Sequence, residues 1–129
     1  MNILIVDDHP NLARVTAMAL RALGWGTFTA DTTAAATHLL DTHTIHDIFL
    51  DVNLGAEFGL DLLSQVVAQA DGPPVIMFTA HAKDEIAHEV LQRGALGFLV
   101  KPFDLDDLRQ QINLIEYHPR NRSTVSVQL

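Results

Sequence analysis

The sequence predicts an α/β fold, five β/α units doubly wound around one parallel sheet. Three observations carry that expectation. Apolar runs of about four to six residues alternate with stretches of helical period, the pattern of a parallel sheet with crossover helices. The chain has 129 residues, 48% apolar, and a mean hydropathy of +0.17, which suits one domain that buries its own core. Polar residues also recur at the ends of the apolar runs, where a parallel sheet gathers its functional groups.

The elements follow in order. Ile3-Leu4-Ile5-Val6 is the first strand, and Asp7 and Asp8 end it. Pro10 sits where a first-turn proline belongs, and Leu12, Val15, Ala19 and Leu23 follow at helical spacing, so they are the expected core stripe of helix one. Gly24 stops that helix, with Trp25 read as a turn residue, packed or exposed, rather than a binding platform. Thr27 to Ala30 is a weak second strand, and 32–42 a modest second helix with Asp31 as its expected cap. Asp47-Ile48-Phe49-Leu50-Asp51 is the third strand. Its following loop, containing Asn53 and Gly55, leads to a helix with the stripe Leu60, Leu63, Val67 and Ala70. Gly72-Pro73-Pro74 launches strand four, Val75 to Phe78, which Thr79 ends. Helix four spans 83–93 and stops at Gly94. Strand five, 96–100, is ended by Lys101, and helix five starts near Asp104 and carries Leu105, Leu108, Ile112 and Ile115.

Composition excludes several classes of function. There is no cysteine, so disulfides and thiolate metal sites are ruled out. No apolar stretch approaches the ~20 residues of a membrane span, and the N-terminus has no basic leader, so a soluble cytoplasmic protein is expected. All 16 acidic residues but only six of the eight Lys and Arg lie in 1–117, giving 6 − 16 = −10. Nucleic-acid binding by that body is not expected, since phosphate contacts need clustered basic residues. Residues 1–117 form the expected domain, and 118–129, without helical period, a tail or linker.

Short right-handed crossovers make the strands parallel, so Asp7, Asp8, Asp51, Thr79 and Lys101 meet at one edge of the sheet. Three carboxylates about 5 Å apart repel by roughly 3 kcal/mol per pair at an effective dielectric near 20, so the cluster calls for a cation. Oxygen donors alone suit Mg²⁺, held with water and phosphate oxygens. A carboxylate, Mg²⁺, a hydroxyl and an ammonium together fit phosphoryl transfer through an acyl phosphate. Asp51 would attack, Asp7 and Asp8 would hold the metal, and Thr79 and Lys101 would contact phosphoryl oxygens. His9 either lines this pocket or serves only its loop. His38, His43, His46 and His88 show no ligand spacing and read as surface or loop residues.

Four segments in this order, Val6-Asp7-Asp8-His9-Pro10, Leu50-Asp51-Val52-Asn53-Leu54 with Gly59-Leu60, Phe78-Thr79-Ala80 and Val100-Lys101-Pro102-Phe103, resemble the response-regulator receiver domains of two-component signalling, of the CheY-like superfamily. The resemblance covers essentially all of 1–117. It implies a flavodoxin-like (βα)5 domain with strand order 2-1-3-4-5. It also implies phosphorylation of Asp51 by a histidine kinase or phosphotransfer protein, Mg²⁺ on Asp7, Asp8, Asp51 and the Asn53 backbone carbonyl, and a cis Lys101-Pro102 bond. Phosphorylation would draw Thr79 inward and let Phe98 follow, inward even without phosphate because it has no hydroxyl. The face of helix four, strand five and helix five would then change and serve for output or homodimerisation. The resemblance places Asn53 and His81 where the family tunes the lifetime of the acyl phosphate, an ordinary surface histidine being the other reading of His81. Gly55, where many receivers carry proline, implies a more mobile loop. The segment 54–61 with Thr79-Ala80-His81 resembles, more weakly, receivers of sigma-54-dependent activators. Two other functions stay open. One is a pseudo-receiver scaffold, although such domains generally lose a key acid or the lysine. The other is a magnesium-dependent aspartyl phosphatase, although that family places a second Asp two residues after its nucleophile on strand one, where this chain has His9. The chain is read as a stand-alone receiver or one cut from a larger regulator.

Overall fold

A computed structural model describes residues 1–54, 57–79 and 84–117. Five long strands, β1 (Asn2–Val6), β2 (Gly26–Ala30), β3 (Asp47–Asp51), β6 (Val75–Thr79) and β7 (Gly97–Val100), form one parallel sheet. Its order, β2-β1-β3-β6-β7, is 2-1-3-4-5 when only these five strands are counted. Two short segments, β4 (Asn53–Leu54) and β5 (Glu57–Phe58), pair antiparallel in the connection after β3. The sequence reading took that connection for a plain loop, because two-residue strands leave no periodicity to detect.

The five helices are α1 (Pro10–Ala22), α2 (Thr33–Thr42), α3 (Gly59–Val67), α4 (Asp84–Gln92) and α5 (Leu105–Glu116). Side-chain alternation along β1 splits the core into two layers. Ile3 and Ile5 pack with Ala13, Ala17 and Leu20 of α1 and Leu108, Ile112 and Ile115 of α5. Leu4 and Val6 pack with Ala36 of α2, Leu62, Leu63 and Val66 of α3, and Val90 of α4. Trp25 is buried in the first layer. No described helix is long and apolar enough to cross a membrane.

Several helix faces differ from the expected ones. In α1 the buried residues are Ala13, Thr16, Ala17 and Leu20, whereas Leu12 and Val15 are 46% and 63% exposed. Two apolar stripes compete on this helix, and the one with small residues allows the closer approach to the sheet. In α3 Leu62, Leu63 and Val66 are buried while Val67 is exposed, and the helix ends before Ala70. Leu105, in the first turn of α5, is also exposed. Thr32, not Asp31, caps α2, its side chain accepting from the Ala35 amide at 3.1 Å. Helix α5 starts beside Asp104 as expected, and Asp104 caps it in a reciprocal capping box with Asp107. Gly24 and Gly94 follow α1 and α4 with φ of +97° and +104°, a conformation that favours glycine at helix ends.

Candidate functional site

The carboxyl end of the sheet builds the site. Asp7 follows β1, its amide donating to the Ala30 carbonyl at 3.0 Å, so the chain stays in the sheet one residue beyond the strand. Asp51 closes β3, and the next amide, that of Val52, donates to Phe78 at 2.9 Å. Thr79 closes β6 fully buried, and its carbonyl accepts from the Lys101 amide at 2.7 Å. The Lys101-Pro102 peptide bond is cis.

These strand ends bring the side chains together. Lys101 Nζ donates to Asp7 Oδ2 at 2.9 Å and to Asp51 Oδ2 at 2.8 Å, and lies 4.7 Å from the centre of the Phe78 ring. Asp7 and Asp51 are both nearly inaccessible, at 2% and 4% exposure. Asp51 Oδ1 accepts from the Asn53 amide at 2.9 Å, which fixes the carboxylate from the loop side. Gly59 is packed so closely here that a Cβ would overlap the Asp51 carbonyl oxygen.

The two buried acids respond differently to their surroundings. For Asp51, burial raises the carboxyl pKa, and the charge of Asp7 adds to this; Lys101 and the Asn53 amide offset only part of it. For Asp7, burial acts in the same direction but is outweighed by the His9 amide, Lys101 and the His9 ring, so its pKa is lowered.

Asp8 and His9 complete the cluster. His9 Nδ1 stands 3.0 Å from Asp8 Oδ1 and 3.3 Å from Asp7 Oδ1, and its amide donates to Asp7 Oδ1 at 2.9 Å. Asp8 Oδ1 is buried and has no hydrogen-bond partner among the described residues. One donor atom from each of Asp7, Asp8, His9 and Asp51 fits in a set mutually within 4.8 Å. A groove of about 580 Å³ beside this set is lined by Asp8, Asp51, Asn53, Lys101, Leu12 and Phe103, among others. Phe98 lies opposite Met77 in the sheet and is half-buried against the α2–α4 layer. His81 and Gly55 lie outside the described residues, as does the tail 118–129.

Comparison with known proteins shows the family to which the chain belongs. Residues 3–113 match the response regulator receiver domain family. This chain belongs to the response-regulator receiver family of two-component systems. The receiver is 38% identical over 107 residues to the alginate biosynthesis transcriptional regulatory protein AlgB of Pseudomonas putida, covering 83% of this chain and 24% of that protein. It is 36% identical over 118 residues to chemotaxis protein CheY-3 of Vibrio cholerae, covering 89% and 91%. The receiver domain of NtrX from Brucella abortus superposes with a TM-score of 0.82 at 30% identity, covering 90% and 99%. The chain therefore spans about a quarter of AlgB but nearly all of CheY-3.

Sequence reasoning brought Asp7, Asp8, Asp51, Thr79 and Lys101 to one sheet edge, and the fold places all five there. It left the role of His9 open, and it missed the Gly59 contact. Gly59, the first residue of α3, was a detectable signal, since a glycine starting a helix marks a close approach.

Proposed function

We propose that this receiver accepts a phosphoryl group on Asp51 from a histidine kinase or phosphotransfer protein, with Mg²⁺, and passes the signal on through α4, β7 and α5. The observation that carries the reading is the Lys101 bridge: one ammonium holds two buried carboxylates, with a third acid beside them. Three carboxylates against one ammonium leave an excess of negative charge, and the buried Asp8 Oδ1 faces only the His9 ring, 3.0 Å away, with no hydrogen-bond partner among the described residues. That donor set fits a divalent cation, with Asp7, Asp8, Asp51 and the Asn53 backbone carbonyl as its ligands. When bound, Mg²⁺ would supply positive charge against the phosphoryl oxygens.

The chain's own groups do the rest. A carboxylate oxygen of Asp51 forms the bond to phosphorus while the bond from phosphorus to the donor's imidazole nitrogen breaks, and that nitrogen leaves with the electron pair. Lys101, already 2.8 Å from Asp51, moves its charge to a phosphoryl oxygen. The Thr79 hydroxyl closes on another, and Phe98 follows it inward. Asn53 and His81 set how long the acyl phosphate lasts. The domain catalyses only its own phosphorylation and dephosphorylation.

Residues 1–117 form the signalling unit, a boundary supported by the family match over 3–113. Exposed Leu91, Val100 and Leu105 give the α4-β7-α5 face apolar contacts for an output partner or a second copy. Leu12 and Val15 give the groove beside Asp51 an apolar rim on which a helical phosphodonor would rest. The larger context in this reading is a cytoplasmic regulator of the sigma-54-dependent activator type; the resemblance of 54–61 points to that type, and the kinship with AlgB, a transcriptional regulatory protein, supports a role in transcription. Intact-mass measurement after incubation with acetyl phosphate and Mg²⁺ tests the reading. One added phosphoryl group, absent in Asp51→Asn, is expected. No gain would favour a binding scaffold, and sustained turnover of unrelated phosphate esters a phosphatase.

A further inference from the structure

We propose that His9 is a nitrogen ligand of the divalent-cation site and biases it toward first-row transition cations, Co²⁺ above all, relative to Mg²⁺. The inference deepens the receiver reading and rests on it.

Geometry is the first support. The Oδ2 atoms of Asp7 and Asp51 are taken up by Lys101. The Oδ1 atoms of Asp7 and Asp8 face His9 Nδ1 instead, at 3.3 and 3.0 Å. Adjacent donors around an octahedral cation with bonds of about 2.1 Å are about 3.0 Å apart, so these separations are those of neighbours in one coordination shell.

The local role of His9 is the second support. It stands at the N-cap of α1, where Ser, Thr, Asp or Asn would bond the first-turn amides, yet its side chain makes no capping hydrogen bond. Nor is the ring a core group, being 63% exposed. It is turned instead toward the two acids of the cluster, within the set of donor atoms that also includes Asp51.

The ligand chemistry follows from this placement. Mg²⁺ favours oxygen donors and gives up water reluctantly, whereas imidazole suits later first-row divalent ions. One nitrogen added to three carboxylates therefore strengthens Co²⁺ binding and leaves Mg²⁺, which keeps a water in that position, nearly unaffected.

The test titrates the full chain with Mg²⁺ and with Co²⁺ by calorimetry, in wild type, His9→Ala and Asp51→Asn. His9→Ala should weaken Co²⁺ by at least the ~10-fold that loss of even a supporting outer partner costs, while Mg²⁺ affinity stays within about twofold. In wild type, Co²⁺ should also shift the His9 ring protons paramagnetically. Equal weakening of both cations, an unchanged Co²⁺ affinity, or no shift of the His9 ring overturns the inference while leaving the receiver reading intact. Absence of any cation binding, or Mg²⁺ binding undiminished in Asp51→Asn, overturns the metal site itself.

Discussion

Lys101 serves two buried carboxylates at once, so its removal acts on chemistry and charge balance together. Lys101→Ala should slow phosphoryl uptake from acetyl phosphate by about 100-fold, the usual cost of one preorganised charge, as read by time-resolved intact mass. Asp8 behaves in the opposite sense. Its buried Oδ1 has no hydrogen-bond partner among the described residues, and its charge adds to the repulsion around Asp7 and Asp51. Asp8→Asn should therefore raise stability by about 1 kcal/mol in EDTA, measured by urea unfolding. Saturating Mg²⁺ should reverse the ranking, because the cation stabilises the wild type by linkage. The strand-end rule made Asp7, Asp8, Asp51 and Lys101 legible in the sequence. His9 was not, because a residue just past a strand can point anywhere, and only the turn into α1 aims its ring at the acids.

Strand β3 carries an acid at each end, and the two differ in kind. Asp47 is fully buried, its oxygens meet no hydrogen-bond partner among the described residues, and burial pushes its pKa well up. The folded chain therefore keeps a proton that the unfolded chain releases above about pH 4. Where the native state binds more protons, stability falls as pH rises. Nearby His46, its pKa lowered by burial and by the charge of the chain's amino terminus, works in the opposite direction. Comparing wild type with Asp47→Asn removes that common contribution: the variant's advantage should grow from pH 5 to pH 8, and parallel stability curves would refute it. At the start of α3, Gly59→Ala places a methyl against the Asp51 carbonyl and should cost about 1–3 kcal/mol, read by thermal unfolding. Helix faces were the least legible elements. In α1 both the Leu12, Val15 stripe and the Ala13, Ala17, Leu20 stripe have helical period, and the packing distance to the sheet decided between them.

Over the whole molecule, the alternation of strands and helices forced the parallel sheet, and the parallel sheet gathered the polar ends. That chain of consequences made the architecture readable, whereas the β4-β5 pair was too short to leave a signal. The α1 stripe left outside the core acquires a use at this scale. Val15, 63% exposed on the helix that borders the groove beside Asp51, should matter for a protein donor and not for a small one. Val15→Asp should slow transfer from a phosphorylated histidine kinase while leaving acetyl phosphate uptake unchanged, measured by the same mass assay. The phosphotransfer expectations depend on where the phosphoryl group goes. Peptide mapping of the chain after reaction with acetyl phosphate and Mg²⁺ tests that most directly. The account predicts a single acyl phosphate on Asp51; modification of Asp7, Asp8 or His9 instead, or of none, would contradict it.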